Sequence, residues 1–177
     1  MKRLSFIFVM ALAASCSSVQ TSYDIDKTAD FNKYKTYAFS EDAAKLPVSD
    51  LDRQRILSAV DAEMALRGIT KSDGSPDALI DLIIKTQQKV EATATNTGGY
   101  YGRYGYGGGM GTTNISYNSY TDGTLFINLV DKSTEKIVWQ GRGTKTLNED
   151  ASAEKREANI NTGVKMIFTK YPPAKKK

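Results

Sequence analysis

Asp24, Asp26 and Asp30 stand close together near the start of the chain, and paired carboxylates are the minimal apparatus for acid and base work on a glycosidic bond. The competing reading is structural, because aspartates clustered around turns hydrogen-bond nearby backbone amides. Their spacing also lacks the glycine and distal glutamate of an EF-hand loop, so calcium is weakly supported. The remaining inventory is narrow. The sequence has no histidine and a single cysteine, Cys16. Zinc sites built from His or Cys, Ser-His-Asp triads and Cys-His dyads are therefore excluded. Serine and lysine are present, but no motif pairs them for catalysis. The expectation is a non-catalytic protein with no cofactor, with a carboxylate-dependent glycan hydrolase as the remote alternative.

The chemistry that Cys16 does fit is acylation. Lys2 and Arg3 precede an apolar run over residues 4–14, and Ala13, Ala14 and Ser15 lead directly into the cysteine. This is the layout of a lipoprotein signal peptide, residues 1–15, cleaved to expose Cys16 for lipidation. Each buried methylene of an acyl chain contributes about 0.8 kcal/mol, so more than one chain anchors a domain durably. Alanine at position 13 departs from the common leucine of the lipobox. The apolar run falls well short of the ~20 residues of a membrane-spanning helix. Ser17 follows the cysteine where an aspartate retains many lipoproteins at the inner membrane, which points to the outer membrane, facing the periplasm. Residues 16–22 are then the lipidated cysteine and a short tether.

The second informative feature is residues 98–111, which hold eight of the 14 glycines and four of the 10 tyrosines. Glycine supplies backbone freedom and tyrosine an amphipathic ring, so the plain reading is a hairpin tip. The sharper reading makes Tyr100, Tyr101, Arg103, Tyr104 and Tyr106 a surface for an envelope protein or, alternatively, a glycan such as peptidoglycan. It is no phosphate loop, because no Gly-Lys-Ser/Thr ending and no helix follow.

Around these features the chain reads as one domain over residues 23–173, with a basic tail at 174–177. Its net charge of +4 includes Lys2 and Arg3, so the mature chain is nearly neutral and does not read as a nucleic-acid binder. Short strands are expected near residues 19–23 and 36–39. A helix is expected over 50–67, capped by Ser49 or Asp50 and stopped by Gly68, with Ile56, Val60 and Met64 on its apolar face. Residues 78–95 alternate as a half-buried strand, too long for an ordinary sheet, with 112–120 as its return partner. Asp122-Gly123 is read as a tight turn into a central strand over 124–131, followed by a hairpin to 137–144. Trp139 is assigned to the core. A closing helix spans about 152–171, with Gly163 placed to allow close approach to the sheet. The order strand, strand, helix, strand meander, helix gives an α+β two-layer fold: a mostly antiparallel sheet with both helices on one face.

Several of these residues recur in a recognisable order. They are Tyr23-Asp24, Asp30-Phe31 and Thr36-Tyr37, then Ile56, Asp61 and Arg67-Gly68, then Asp77, Gly123-Thr124-Leu125, Asp131, Trp139-Gln140-Gly141 and Tyr171-Pro172-Pro173. In this arrangement the chain resembles the bacterial envelope lipoproteins of the domain of unknown function 4136 (DUF4136) family. The resemblance implies a lipid-anchored single domain with no established activity. The Gly/Tyr-rich segment departs from that pattern.

Overall fold

The computed structural model describes residues 19–97, 112–148 and 150–171. Six strands form one sheet: β1 (Gln20–Ile25), β2 (Thr36–Phe39), β3 (Thr70–Lys71), β4 (Ala78–Thr97), β5 (Thr112–Asp131) and β6 (Ile137–Thr146), in the spatial order β1-β6-β5-β4-β2-β3. Every pairing is antiparallel except those of β2, which runs parallel to both β3 and β4. Two helices, α1 (Asp50–Ala65) and α2 (Ala153–Phe168), pack against each other, α2 against β6 and β1, and both cover one face of the sheet. The fold is the expected α+β two-layer arrangement.

The helices begin and end where local chemistry dictates. The Ser49 hydroxyl accepts from the Asp52 amide at 3.2 Å and opens α1, while Ser152 accepts from Lys155 at 3.4 Å and opens α2. Gly68, at φ 71°, takes the left-handed conformation that closes the α1 exit. Ile56, Ala59, Val60 and Met64 of α1 and Val164, Ile167 and Phe168 of α2 are buried against Ile80, Leu82, Ile127, Leu129 and Trp139. Trp139 is the centre of this core. Its ring lies 5.6 Å from Phe168 and 5.1 Å from Tyr171, and its indole N–H donates to the Lys170 carbonyl at 3.2 Å. A Cβ on Gly141 would come within 2.5 Å of both Trp139 and Ile167, so the indole lies flat across a position that only glycine leaves open.

Two expectations are corrected and one strand was missed. Asp122-Gly123 is not a turn: residues 112–120 and 124–131 belong to the single strand β5, paired without interruption to β4 from Ala78↔Asp131 to Thr97↔Thr112. The glycine is there for a different reason, since a Cβ on Gly123 would approach the Leu147 side chain to 2.7 Å. Gly163 does not bring α2 close to the sheet, because a Cβ there would meet nothing within 4 Å. The two-residue strand β3 was not expected; it completes a parallel β2–α1–β3 crossover. The strand expected near residues 19–23 is present as β1, so residues 19–22 at the end of the tether segment belong to the body: Val19 is buried and β1 pairs with β6 from Gln20↔Thr144.

Candidate functional site

The feature that leaves the body is a ribbon. Strand β6 follows β5 only as far as Thr146↔Asp122, whereas β4 and β5 stay paired for ten further positions, from Gln88↔Thr121 to Thr97↔Thr112. At about 3.4 Å per residue this two-stranded extension runs ~33 Å past the sheet. Side chains alternate across it. By parity with buried Ile80 and Leu82, the face that continues the helix-covered side carries Val90, Ala92 and Ala94, with Tyr117 opposite Ala92 and Ile115 opposite Ala94. The other face carries Lys89, Glu91, Thr93 and Thr95, paired with Tyr120, Asn118, Ser116 and Asn114. The helix-side face also carries Gln88, Thr121 and Ser119, and on it Val90, Ile115 and Tyr117, 66%, 55% and 70% exposed, form an uncovered apolar stripe.

The ribbon is braced at its root. Lys89 forms an ion pair with Asp122 at 2.7 Å, and the Thr146 hydroxyl donates to the same carboxylate at 2.8 Å. Lys89, Thr146 and the ion pair hold the Asp122 carboxyl below its ordinary range and raise the Lys89 ammonium above its own. Leu147 packs over Gly123 on the opposite side of the strand.

The carboxylates nominated for catalysis serve the backbone. Asp24 accepts from the Ile25 amide, Asp26 from the Thr28 amide and hydroxyl, and Asp30 from the Asn32 amide and side chain. Asp24 and Asp26 also line an open cleft of about 390 Å³ with Trp139 and Gln140. The Thr28 hydrogen bonds lower the Asp26 pKa, the opposite of the upward shift that a general acid requires. Three further aspartates are pins between distant segments. Buried Asp131 accepts from Lys33, the Tyr34 hydroxyl at 2.8 Å, Ser133 and the Thr134 amide, and these partners, Lys33 first, hold its carboxyl well below the ordinary range. Asp77 accepts from the Lys35 and Thr36 amides and the Thr36 hydroxyl. Asp61 on α1 accepts from the Tyr37 hydroxyl on β2. Burial, then the neighbouring carboxylate, pushes the Tyr34 and Tyr37 phenols above their ordinary range.

Cys16, Tyr100, Tyr101, Arg103, Tyr104, Tyr106 and the tail at 174–177 lie outside the described residues. Their neighbours are in view: the ribbon delivers the chain into and out of residues 98–111, and Val19 begins the body three residues after Cys16. The apolar stripe was missed in the sequence: Val90 continues the parity of Ile80, Leu82 and Ile84 on β4, and Ile115 and Tyr117 that of Leu125, Ile127 and Leu129 on β5, but only the register puts the two sets on one face. Among the described residues, no helix is long and apolar enough to cross a membrane, and no three His, Cys, Asp or Glu side chains converge to hold a metal.

The sequence profile of a domain of unknown function, DUF4136, matches residues 19–173. The chain belongs to the DUF4136 family. Within this DUF4136 domain, Asp30, Thr36, Tyr37, Asp61, Asp77, Asp131, Trp139 and Gly141, which carried the resemblance, are occupied in caps, interstrand pins and core packing. Arg67 likewise pairs with Glu63 at 2.7 Å, donates to the Phe168 carbonyl and stacks over the Phe168 ring at 4.9 Å. Two solved structures with TM-scores above 0.5 share the fold of the DUF4136 chain at low identity. A PDZ domain protein from Parabacteroides distasonis aligns with TM-score 0.55 and 18% identity over 88% of this chain and 36% of that one, so the chain spans little more than a third of its length. The PelC dodecamer from Paraburkholderia phytofirmans aligns with TM-score 0.51 and 10% identity over 86% of this chain and 95% of that one. A minor lipoprotein from Acinetobacter baumannii aligns at TM-score 0.34 and 7% identity, over 77% and 87% of the two chains. No curated protein matches the chain.

Proposed function

We propose that this DUF4136 protein is a lipid-anchored, non-catalytic module of the cell envelope, held at the outer membrane through Cys16 and facing the periplasm. In this reading it contacts another envelope component through residues 98–111. The observation that carries the reading is the ribbon, whose two paired strands run ~33 Å past the sheet to Thr97 and Thr112, the residues that flank that segment. A paired projection suits the presentation of a contact segment, and Tyr100, Tyr101, Arg103, Tyr104 and Tyr106 are the residue types that make contacts. The engagement of Asp24, Asp26 and Asp30 with their own backbone favours a binding role over glycan cleavage.

Two measurements test this. Intact mass spectrometry of the native product reads an acylated Cys16 if the anchor is right, and an unmodified thiol overturns it. Cross-linking in cells, comparing the wild type with a Tyr100, Tyr101, Tyr104 and Tyr106 to Ser variant, loses a captured protein if the loop is the contact. Loss of saccharide binding instead assigns the loop to a glycan, and unchanged behaviour in both refutes a binding loop.

A further inference from the structure

We propose that the apolar, helix-side face of the β4–β5 ribbon rests on the same lipid surface that anchors Cys16. The inference rests on acylation of Cys16 but concerns a different part of the chain. Strand β1 enters the sheet at its ribbon end: Gln20 is opposite Thr144, Thr144 opposite Thr124 and Thr124 opposite Lys85, close to where β6 stops. Val19 lies on the helix side, lining an apolar cleft of about 170 Å³ with Ile84, Leu125, Ile160 and Ile167. The described chain therefore begins, at Val19 and three residues after Cys16, at the corner between the helix layer and the ribbon root. Three residues reach at most ~10 Å, against ~33 Å for the ribbon. A bilayer holding Cys16 is thus nearer to the ribbon root than the ribbon is long.

The side of the ribbon turned toward that corner is the apolar one. Beyond Thr86, Gln88 and Thr121, the side of the sheet that holds the cleft carries Val90, Ala92, Ala94, Ile115 and Tyr117 with Ser119 among them, while the charged Lys89 and Glu91 point to the opposite face. The outer ribbon strands, residues 92–97 and 112–121, contain no Asp, Glu, Lys or Arg. Such a segment adsorbs at the headgroup boundary through apolar contact, with tyrosine well suited to that depth.

The test uses the sole cysteine. The chain from Cys16 onward carries the whole described fold, and coupling Cys16 to a maleimide lipid in phosphatidylcholine vesicles fixes the anchor whether or not cells acylate it. Tyr117→Trp and Asn118→Trp place a fluorophore on the apolar and polar faces at exposed positions, each read against the parent with buried Trp139. With brominated acyl chains, the Tyr117→Trp signal is expected to fall by roughly twofold or more while that of Asn118→Trp is unchanged. No quenching of Tyr117→Trp, or equal quenching of both, overturns the proposal. A concentration-dependent dimer that shields Tyr117→Trp without lipid also overturns it, by assigning the stripe to a second copy. An unmodified Cys16 in cells would instead refute the anchor while leaving this measurement intact.

Discussion

Replacing Gly141 and Gly163 in turn by alanine should shift stability in opposite directions. At Gly141 the new Cβ lands 2.5 Å from Ile167 Cγ2 and Trp139 Cη2, where carbon pairs rest at about 3.5–4.0 Å. Both neighbours are completely buried, so neither can retreat by the required ångström without displacing α2 or the indole. Overpacking of this kind costs about 1–3 kcal/mol, and two rigid neighbours put Gly141→Ala near the upper end. At 2–4 °C per kcal/mol for a domain of this size, Tm should fall by about 6–12 °C. At Gly163, inside α2, a Cβ meets nothing within 4 Å and lines the apolar cleft beside Ile160 and Val164. The helix gains about 0.5–1 kcal/mol from the loss of glycine freedom, a rise of about 1–4 °C. Urea unfolding followed by circular dichroism, with thermal melts alongside, measures both on a Cys16→Ser background. If Gly141→Ala stays within about 0.5 kcal/mol of the parent, the packing of Trp139 over the strand is not as described.

Asp131→Asn should lose about 2 kcal/mol at neutral pH, because it weakens hydrogen bonds to a charged, buried acceptor. Its native carboxyl is depressed below 3.8, so its contribution is present above that pH and lost as the pH falls further; urea unfolding should show the variant and parent converging in acid. At the alkaline end, burial raises Tyr34 and Tyr37 above their ordinary 10.0 and pushes Tyr171 up to about 12, so the folded chain holds these protons and loses stability as pH rises past 10. Ultraviolet titration should find these three phenols un-ionised in the native state at pH 11 and released on unfolding. Ser49→Ala should cost about 1 kcal/mol by removing the α1 cap, read as a lower urea midpoint with unchanged slope.

What could be read from the sequence was local. Ser49, Ser152 and Gly68 mark helix ends through neighbours two to five residues away, and the alternation from Ile80 to Val90 fixes which side of β4 is buried. What escaped was set by distant partners. Asp122-Gly123 has the composition of a turn, but Leu147 arrives from beyond β6 to fill the space over the glycine, and the ladder with β4 keeps the strand extended. Asp131 reaches Tyr34 across a separation of 97 residues, and Asp77 reaches Lys35 across 42; no window along the chain reveals either pin. Strand β3 is two residues long and exists because α1 returns Thr70 beside Thr36. For the candidate site, the glycine and tyrosine content of 98–111 was visible directly, whereas the amphipathic character of its support required the register of β4 against β5.

The Lys89, Asp122 and Thr146 brace closes the body at the ribbon root, and among the described residues no core side chain lies beyond it. The projection is therefore interchangeable. Hairpins of other lengths or compositions can be grafted onto the same root in chimeras without repacking Trp139 or either helix, so what this domain meets can diversify while the domain itself stays constant.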